Sequence, residues 1–320
     1  MTNCLTLRRA LVALSISLSL ASQAAADPEH AGRRVLAADY SVGRIAIVDA
    51  DGRIAWEHKI GPIHDLQLLE NGNVLFQLSW TRIVEVDPSD DRVVWEYDSA
   101  AQGGNEGKRV EVHSFQRLPS GLTMIAESGP ARIIEVDRGG QIQHEVKLKV
   151  ENPDPHHDTR LVRKLAGGGY LVAHEGDGAV REYDAAGKVV WDYPVPLFGK
   201  QPRGGHGARA WGNAVFAAER LANGNTLIAT GNGHGVIEVT PEKEVVWRLE
   251  QRDLPGVTLA WVTTVQPLAN GNLVIGNCHA GPDNPQIIEV TRDKRLVWAF
   301  KDHENFGDAL ANSWVIDAAE

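Results

Sequence analysis

Apolar and polar residues alternate along most of the chain in short runs that break at the same kind of turn. The clearest copy is Leu268-Ala269-Asn270-Gly271-Asn272-Leu273-Val274-Ile275, and it recurs at 69–76 around Asn71-Gly72 and at 221–228 around Asn223-Gly224. Degenerate copies stand at 118–125 around Ser120-Gly121 and at 165–172 around Gly167-Gly168-Gly169. Asn-Gly tolerates positive φ at both central residues of a type I′ turn, so each copy between alternating runs predicts an antiparallel hairpin.

A second element follows each hairpin: an apolar strand, a short turn and a strand with an aromatic near its end. It occurs at 45–56, 83–95, 133–144, 180–191, 236–247 and 287–298. The two elements together give four strands per unit at a spacing of roughly 40 to 55 residues, the period of a β-propeller blade. The expected fold is all-β, a propeller of six four-stranded antiparallel blades. The first unit lacks its opening strand, because Val35-Leu36-Ala37-Ala38 aligns with the strand after the Asn-Gly turn. Asn312-Ser313-Trp314-Val315-Ile316-Asp317 is apolar, alternating and otherwise unpartnered. An open ring would expose an unpaired edge, so this C-terminal strand is expected to close it as the innermost strand of the first blade.

Residues 1–26 read as a signal peptide: Arg8 and Arg9 precede an apolar run, and Ala24-Ala25-Ala26 offers a small-residue cleavage site. The run is short for a membrane span, which predicts export to the periplasm or beyond with no stable membrane anchor. Residues 27–320 then form a single propeller domain. Of the two cysteines, Cys4 leaves with the signal, so Cys278 has no partner for an internal disulfide. The net charge is −10, which makes nucleic acid a poor partner. The Trp that ends five of the six units has a packing explanation, filling the space between blades at the wide rim.

In a four-stranded meander the turns between strands one and two and between three and four emerge on one face. The turn between two and three and the link to the next blade emerge on the other. All the Asn-Gly turns therefore share a featureless face, and the long linkers 99–111, 149–157, 195–213, 251–260 and 301–311 share the opposite one. Loops of that length in a compact domain are more often functional than idle. Sorted this way, His64, His113, His157, His174, His206, His234 and His279, out of 12 histidines, map to the long-loop face. Asp65, Glu127, Asp158, Arg160, Glu175 and Arg203 accompany them. A concave, loop-walled site with convergent polar groups is where ligand binding is to be sought. The candidate ligand-binding set is His64, His113, Glu127, His157, Arg160, His174, Arg203, His206, His234 and His279.

Imidazole serves as metal ligand, acid, base or nucleophile, and spacing does not choose among them. There is no His-Glu-x-x-His, no Cys pair, no acidic calcium loop, no Gly-x-Ser-x-Gly elbow and no phosphate loop. Three histidines from different blades would still suit a divalent metal such as zinc or copper.

Units built as Glu-Val-Asp or Glu-Val-Thr, a short turn and Val-Val-Trp resemble the PQQ-like repeats of the quinoprotein superfamily, over about residues 34–317. Quinoprotein dehydrogenases have eight blades, a calcium site and often a vicinal cysteine pair. Six units and one mature cysteine argue against bound PQQ here. A second resemblance is to bacterial arylsulfotransferases, exported propellers whose repeats combine His-Asp with an Asn-Gly-Asn turn; here His64-Asp65 leads to Asn71-Gly72-Asn73, and His157-Asp158 to Gly167-Gly168-Gly169. That resemblance implies transfer of a sulfuryl group through a histidine, with His64 or His157 as nucleophile and Arg160 as a clamp on the oxygens. The reading that emerges is an exported propeller binding a small polar or anionic ligand on its histidine-rich face, with the reaction left uncommitted. The alternatives are histidine-dependent group transfer or hydrolysis, and a scaffold that binds a protein partner.

Overall fold

A computed structural model describes residue 1 and residues 32–316. Residues 2–26 of the expected signal peptide and Asp317 lie outside the described residues.

The described residues form six four-stranded antiparallel sheets. Five of them run in chain order, opening with the strands Leu66–Leu68, Glu111–Arg117, Val162–Lys164, Ala217–Arg220 and Trp261–Pro267. The remaining sheet has the order Leu310–Val315, Val35–Asp39, Arg44–Val48, Ile54–Lys59, so the C-terminal strand takes the place missing from the first blade. Its register sets Val35 opposite Val315 and Ala38 opposite Asn312. The opening strands of neighbouring blades approach one another and form the inner ring. No helix among the described residues is long and apolar enough to cross a membrane.

The burial pattern explains the sequence pattern. The second and third strands of each blade are sandwiched between adjacent blades and are buried on both faces, as in Val74–Gln77 and Ile287–Val290. The fourth strands border solvent and alternate, as in Ile142–Lys147. The core accordingly lies in layers between blades. One such layer joins Leu227 and Val236 of the fifth blade to Leu273 and Ile288 of the sixth.

Repeated polar contacts reinforce the tight-turn face. Asn73, Asn225 and Asn272, each just past an Asn-Gly, donate Nδ2 to Glu85, Glu238 and Glu289 at 2.8, 2.6 and 2.6 Å. Those carboxylates also pair with Arg138, Arg292 and Arg33 respectively. The unit-ending Trp side chains do more than fill space. Trp95, Trp191 and Trp247 donate their indole N–H to the carbonyls of Arg138, Pro241 and Arg292 in the next blade. In the third blade, where no Trp ends the unit, His144 Nε2 reaches Ala185 O at 3.0 Å in the same way.

The turn itself differs from the type I′ expectation. Only the glycines take positive φ, with Gly72, Gly224 and Gly271 at 84°, 89° and 84°. Gly72 N–H closes on Leu69 O, and Asn71 Oδ1 accepts from Asn73 N–H at 3.0 Å. The asparagine side chain thus supplies the turn's extra hydrogen bond, giving a three-residue loop with glycine in the left-handed position.

Candidate functional site

The opening strands are irregular where they reach the long-linker face. In the third blade the register passes from Val112–Glu127 to Ser114–Ala126, leaving His113 as the extra residue. In the sixth blade the shift falls between Val262 and Val265, at Thr263 and Thr264. In the first blade Ala311 is the residue skipped between Asn312 and Leu310. A bulge re-aims the side chains around it. Thr263 and Ala311 line a cavity of about 210 Å³ at this mouth, and His113 packs behind its wall.

The cavity brings together His64, His156, His206, His279 and Arg160, with Trp80, Phe216 and Trp261 as aromatic walls and Tyr40 and Cys278 at one side. His64 is placed by backbone contacts: its N–H donates to Gln77 Oε1 at 2.9 Å, and its carbonyl accepts from Asn312 Nδ2 of the closing strand at 2.9 Å. Its ring packs 4.7 Å from His113 and 5.1 Å from Trp80 between centroids. Among the described residues His64 Nδ1 is buried and finds no hydrogen-bond partner, and the same holds for Thr263 Oγ1. Native interiors rarely leave such atoms unpaired.

His156 sits on a loop built around two aspartates. Asp154 Oδ1 accepts from His156 N–H at 2.8 Å, and Asp158 accepts from Asp154 N–H at 2.7 Å and Gly129 N–H at 2.8 Å. The imidazole Nδ1 meets Glu111 Oε2 at 2.7 Å. His279 has φ 60°, a left-handed conformation uncommon for a residue with a side chain, and its Nε2 lies 3.0 Å from Tyr40 Oη. His206 packs against it with centroids 5.6 Å apart.

Arg160 is 3% exposed, ion-paired through Nε with Glu175, and donates from Nη1 to His156 O. The same Nη1 lies 2.9 Å from His113 Nδ1. Burial, reinforced by the Arg160 charge, holds the His64 imidazole well below its ordinary value and His113 at about 4. Burial likewise lowers His279, and it raises Glu175 against the pull of Arg160. Cys278 is pushed well up by burial, so its thiol stays protonated and is no nucleophile at neutral pH. The His64, His113 and His279 imidazoles are therefore held neutral around one buried guanidinium.

The residues singled out from the sequence divide accordingly. His64, Arg160, His206 and His279 line the cavity. His157 is a step outside it, with Nδ1 3.2 Å from Asp154 and Nε2 3.9 Å from Glu175. His174 is buried away from it, bonded to Asp158 O at 2.8 Å and Tyr183 Oη at 2.9 Å. His234 bridges the carbonyls of Ala260 and Ala210 at 2.6 Å each. Glu127 pairs with Arg132 at 2.6 Å, and Arg203 is exposed in a two-residue bridge with Trp211. Asp65 faces the axis below the cavity.

Sequence reasoning missed Glu111, His156, Trp80 and Trp261. The aromatic pair had a usable signal, since neither Trp falls at the end of a repeat unit.

The repeat family described as outer membrane protein assembly factor BamB matches residues 13–118 and 43–294. A solved protein of unknown function from Bacteroides caccae is 25% identical, covering 87% of this chain and 97% of its own, with a TM-score of 0.71. A virginiamycin B lyase from Staphylococcus aureus, solved as an inactive variant with quinupristin, is 13% identical over 85% of each chain with a TM-score of 0.56. The WD40 propeller domain of Doa1 is also 13% identical, over 85% of this chain and 80% of its own, at 0.55. At those identities the last two share the fold alone. No curated protein sequence matches.

Proposed function

The chain belongs to the PQQ-like propeller family described as outer membrane protein assembly factor BamB, and from that premise we propose that it is an exported propeller binding a small anionic ligand with a flat apolar body. The observation that carries this reading is the cavity in which Arg160, His64, His206 and His279 meet Trp80, Phe216 and Trp261. An anionic group near Arg160 gains a charge-assisted hydrogen bond in a site screened from water, while neutral imidazoles donate without adding opposed charge. An aromatic body lies against the indoles. The volume of about 210 Å³ limits the ligand to a small molecule.

Calorimetric titration with benzoate, phenyl phosphate and phenyl sulfate tests it. One of the three should bind one to one, and binding should weaken at least about tenfold in His206→Ala and in Arg160→Lys. No heat from any of them would sink the reading. Export is checked by fractionation, with the mature N-terminus expected at Asp27.

A second reading, transfer of a group from the bound ligand through histidine, is favoured by one observation: His64 Nδ1 is held neutral, buried and unpartnered beside the guanidinium. Phenol release from an aryl sulfate, lost in His64→Ala and retained in His157→Ala, would establish it; no turnover by the unmodified protein would remove it. A scaffold role draws on the family's description and on the exposed Val93, Val190, Val246, Leu296 and Val297 of the outermost strands.

A further inference from the structure

Behind the cavity wall, two imidazoles converge on one oxygen of a buried carboxylate. The geometry points to a divalent cation site of the zinc class formed by Glu111, His113 and His156. One donor atom from each lies within 4.8 Å of the other two. Glu111 Oε2 is 3.2 Å from His113 Nε2 and 2.7 Å from His156 Nδ1. Ligand atoms about 2.0–2.2 Å from a tetrahedral zinc are separated by roughly 3.3 Å, a spacing the Glu111–His113 pair already has and the Glu111–His156 pair reaches by opening slightly.

Glu111 and His113 stand two apart in one strand, and the bulge at His113 sets its ring toward the loop that carries His156. His113 Nδ1 faces the Thr159 carbonyl at 2.7 Å. Arg160 Nη1 also lies 2.9 Å from this nitrogen, so Nδ1 serves either the carbonyl or the guanidinium. In the tautomer with hydrogen on Nδ1 the carbonyl accepts it, Arg160 keeps its bond to His156 O, and the Nε2 lone pair is free to ligate a metal. In that tautomer Nε2 and the Glu111 carboxylate are two acceptors across 3.2 Å, and a cation between them satisfies both. An imidazole that donates its other nitrogen to a backbone carbonyl is the usual posture of a metal ligand. Arg109 Nη2 holds Glu111 Oε1 at 3.2 Å, so Oε2 is the oxygen left for the metal. His156 supplies Nδ1 once its hydrogen resides on Nε2, a tautomer change that releases no proton. Arg160 opposes a cation here, and its ion pair with Glu175 offsets that charge.

Three protein ligands leave one position of a tetrahedral zinc open. Since His156 also lines the cavity, that position faces the site assigned to the anionic ligand. The inference deepens the ligand reading and rests on it for the occupant of the open position; capture of the metal by the three side chains does not depend on it.

The test titrates chelator-treated full-length protein with Zn²⁺ against a chromophoric chelator, and with Co²⁺ by visible absorption. One equivalent should bind, with the intense Co²⁺ bands of four-coordination. Affinity should fall about 100-fold or more in His156→Ala and Glu111→Gln, both checked for folding by circular dichroism; these two are chosen over His113→Ala, which would alter a fully buried ring. Zn²⁺ affinity unchanged in both variants, or no uptake by the unmodified protein, would overturn the site. Repeating the benzoate, phenyl phosphate and phenyl sulfate titrations on metal-free and zinc-loaded protein separates the two ideas. Anion binding without zinc uptake removes the metal site alone, and zinc uptake without anion binding in either form removes the ligand reading alone.

Discussion

Asp65 and His64 are neighbours in the chain, and they sit in two polar regions built on opposite rules. Asp65, facing the axis, is saturated. It accepts from Ser114 Oγ at 2.6 Å, Leu66 N–H at 3.0 Å and Phe115 N–H at 3.2 Å, and receives Arg163 at 2.9 and 3.2 Å. Asn312 of the closing strand adds 3.3 Å, and Arg163 continues to Glu219 at 3.2 Å. This network joins blades one to five around the channel. At the mouth above it, His64 Nδ1 and Thr263 Oγ1 are buried and unpaired. A buried polar network that satisfies every member fixes a structure, whereas one that leaves atoms unpaired costs stability and marks a place kept for something else. Both regions are rich in charge, so polarity alone would not have told them apart.

The difference can be broken most forcefully at Asp65. Asp65→Ala leaves the half-buried Arg163 with Glu219 alone and removes the acceptor of Ser114 Oγ and Phe115 N–H, and should cost about 3 kcal/mol in urea denaturation; a loss below about 1 kcal/mol would mean the axial network is not a staple. Acid should act on the histidine side of the comparison. His174 is held at about 4 against an ordinary 6.5, chiefly by burial, and His64 and His279 are held low for the same reason. Between those limits the unfolded chain binds more protons than the folded one, so stability is full above about pH 6.5 and falls as pH drops toward 4. The melting temperature followed over that range should decline throughout, and a flat profile would contradict the neutral-imidazole account.

A smaller effect is expected on the tight-turn face. Trp191→Phe removes the indole bond to Pro241 O of 3.0 Å and should cost about 1 kcal/mol, with no change in ligand binding. The smallest belongs to His64→Leu. No hydrogen bond of the ring is lost, so stability should stay within about 1 kcal/mol of the parent or rise, while anion binding drops. A loss as large as that of Asp65→Ala would place His64 among the staples instead.

The residues that follow the repeat were legible, and so was their role. Asn73, Asn225 and Asn272 sit at the same place in three units and make the same bond to a glutamate, so period and function coincide. The candidate site is made largely of residues that break the period. Trp80 and Trp261 are out of step with the Trp that end units, and His113, Thr263 and Ala311 stand at bulges that an alternating pattern does not announce. His64, Arg160, His206 and His279 could be placed at the mouth because topology assigns each loop to a face. The same rule also admitted His174 and His234, whose nitrogens the structure spends on neighbouring groups. It passed over His156 in favour of His157, because adjacent residues on a turn point apart and only the Asp154 and Asp158 bonds decide which one faces inward.

By itself the sequence determined the number of blades, the exchange of the last strand into the first sheet, and the segregation of long linkers to one end. Each follows from local periodicity and from the need to pair every edge, which are properties of a chain read a few residues at a time. The tertiary structure alone decided which imidazoles are spent and which are free, which acid faces His113, and that Asp65 is a staple while His64 is not. Those outcomes depend on contacts of a few ångströms between residues tens to hundreds of positions apart, where a single bulge redirects a side chain.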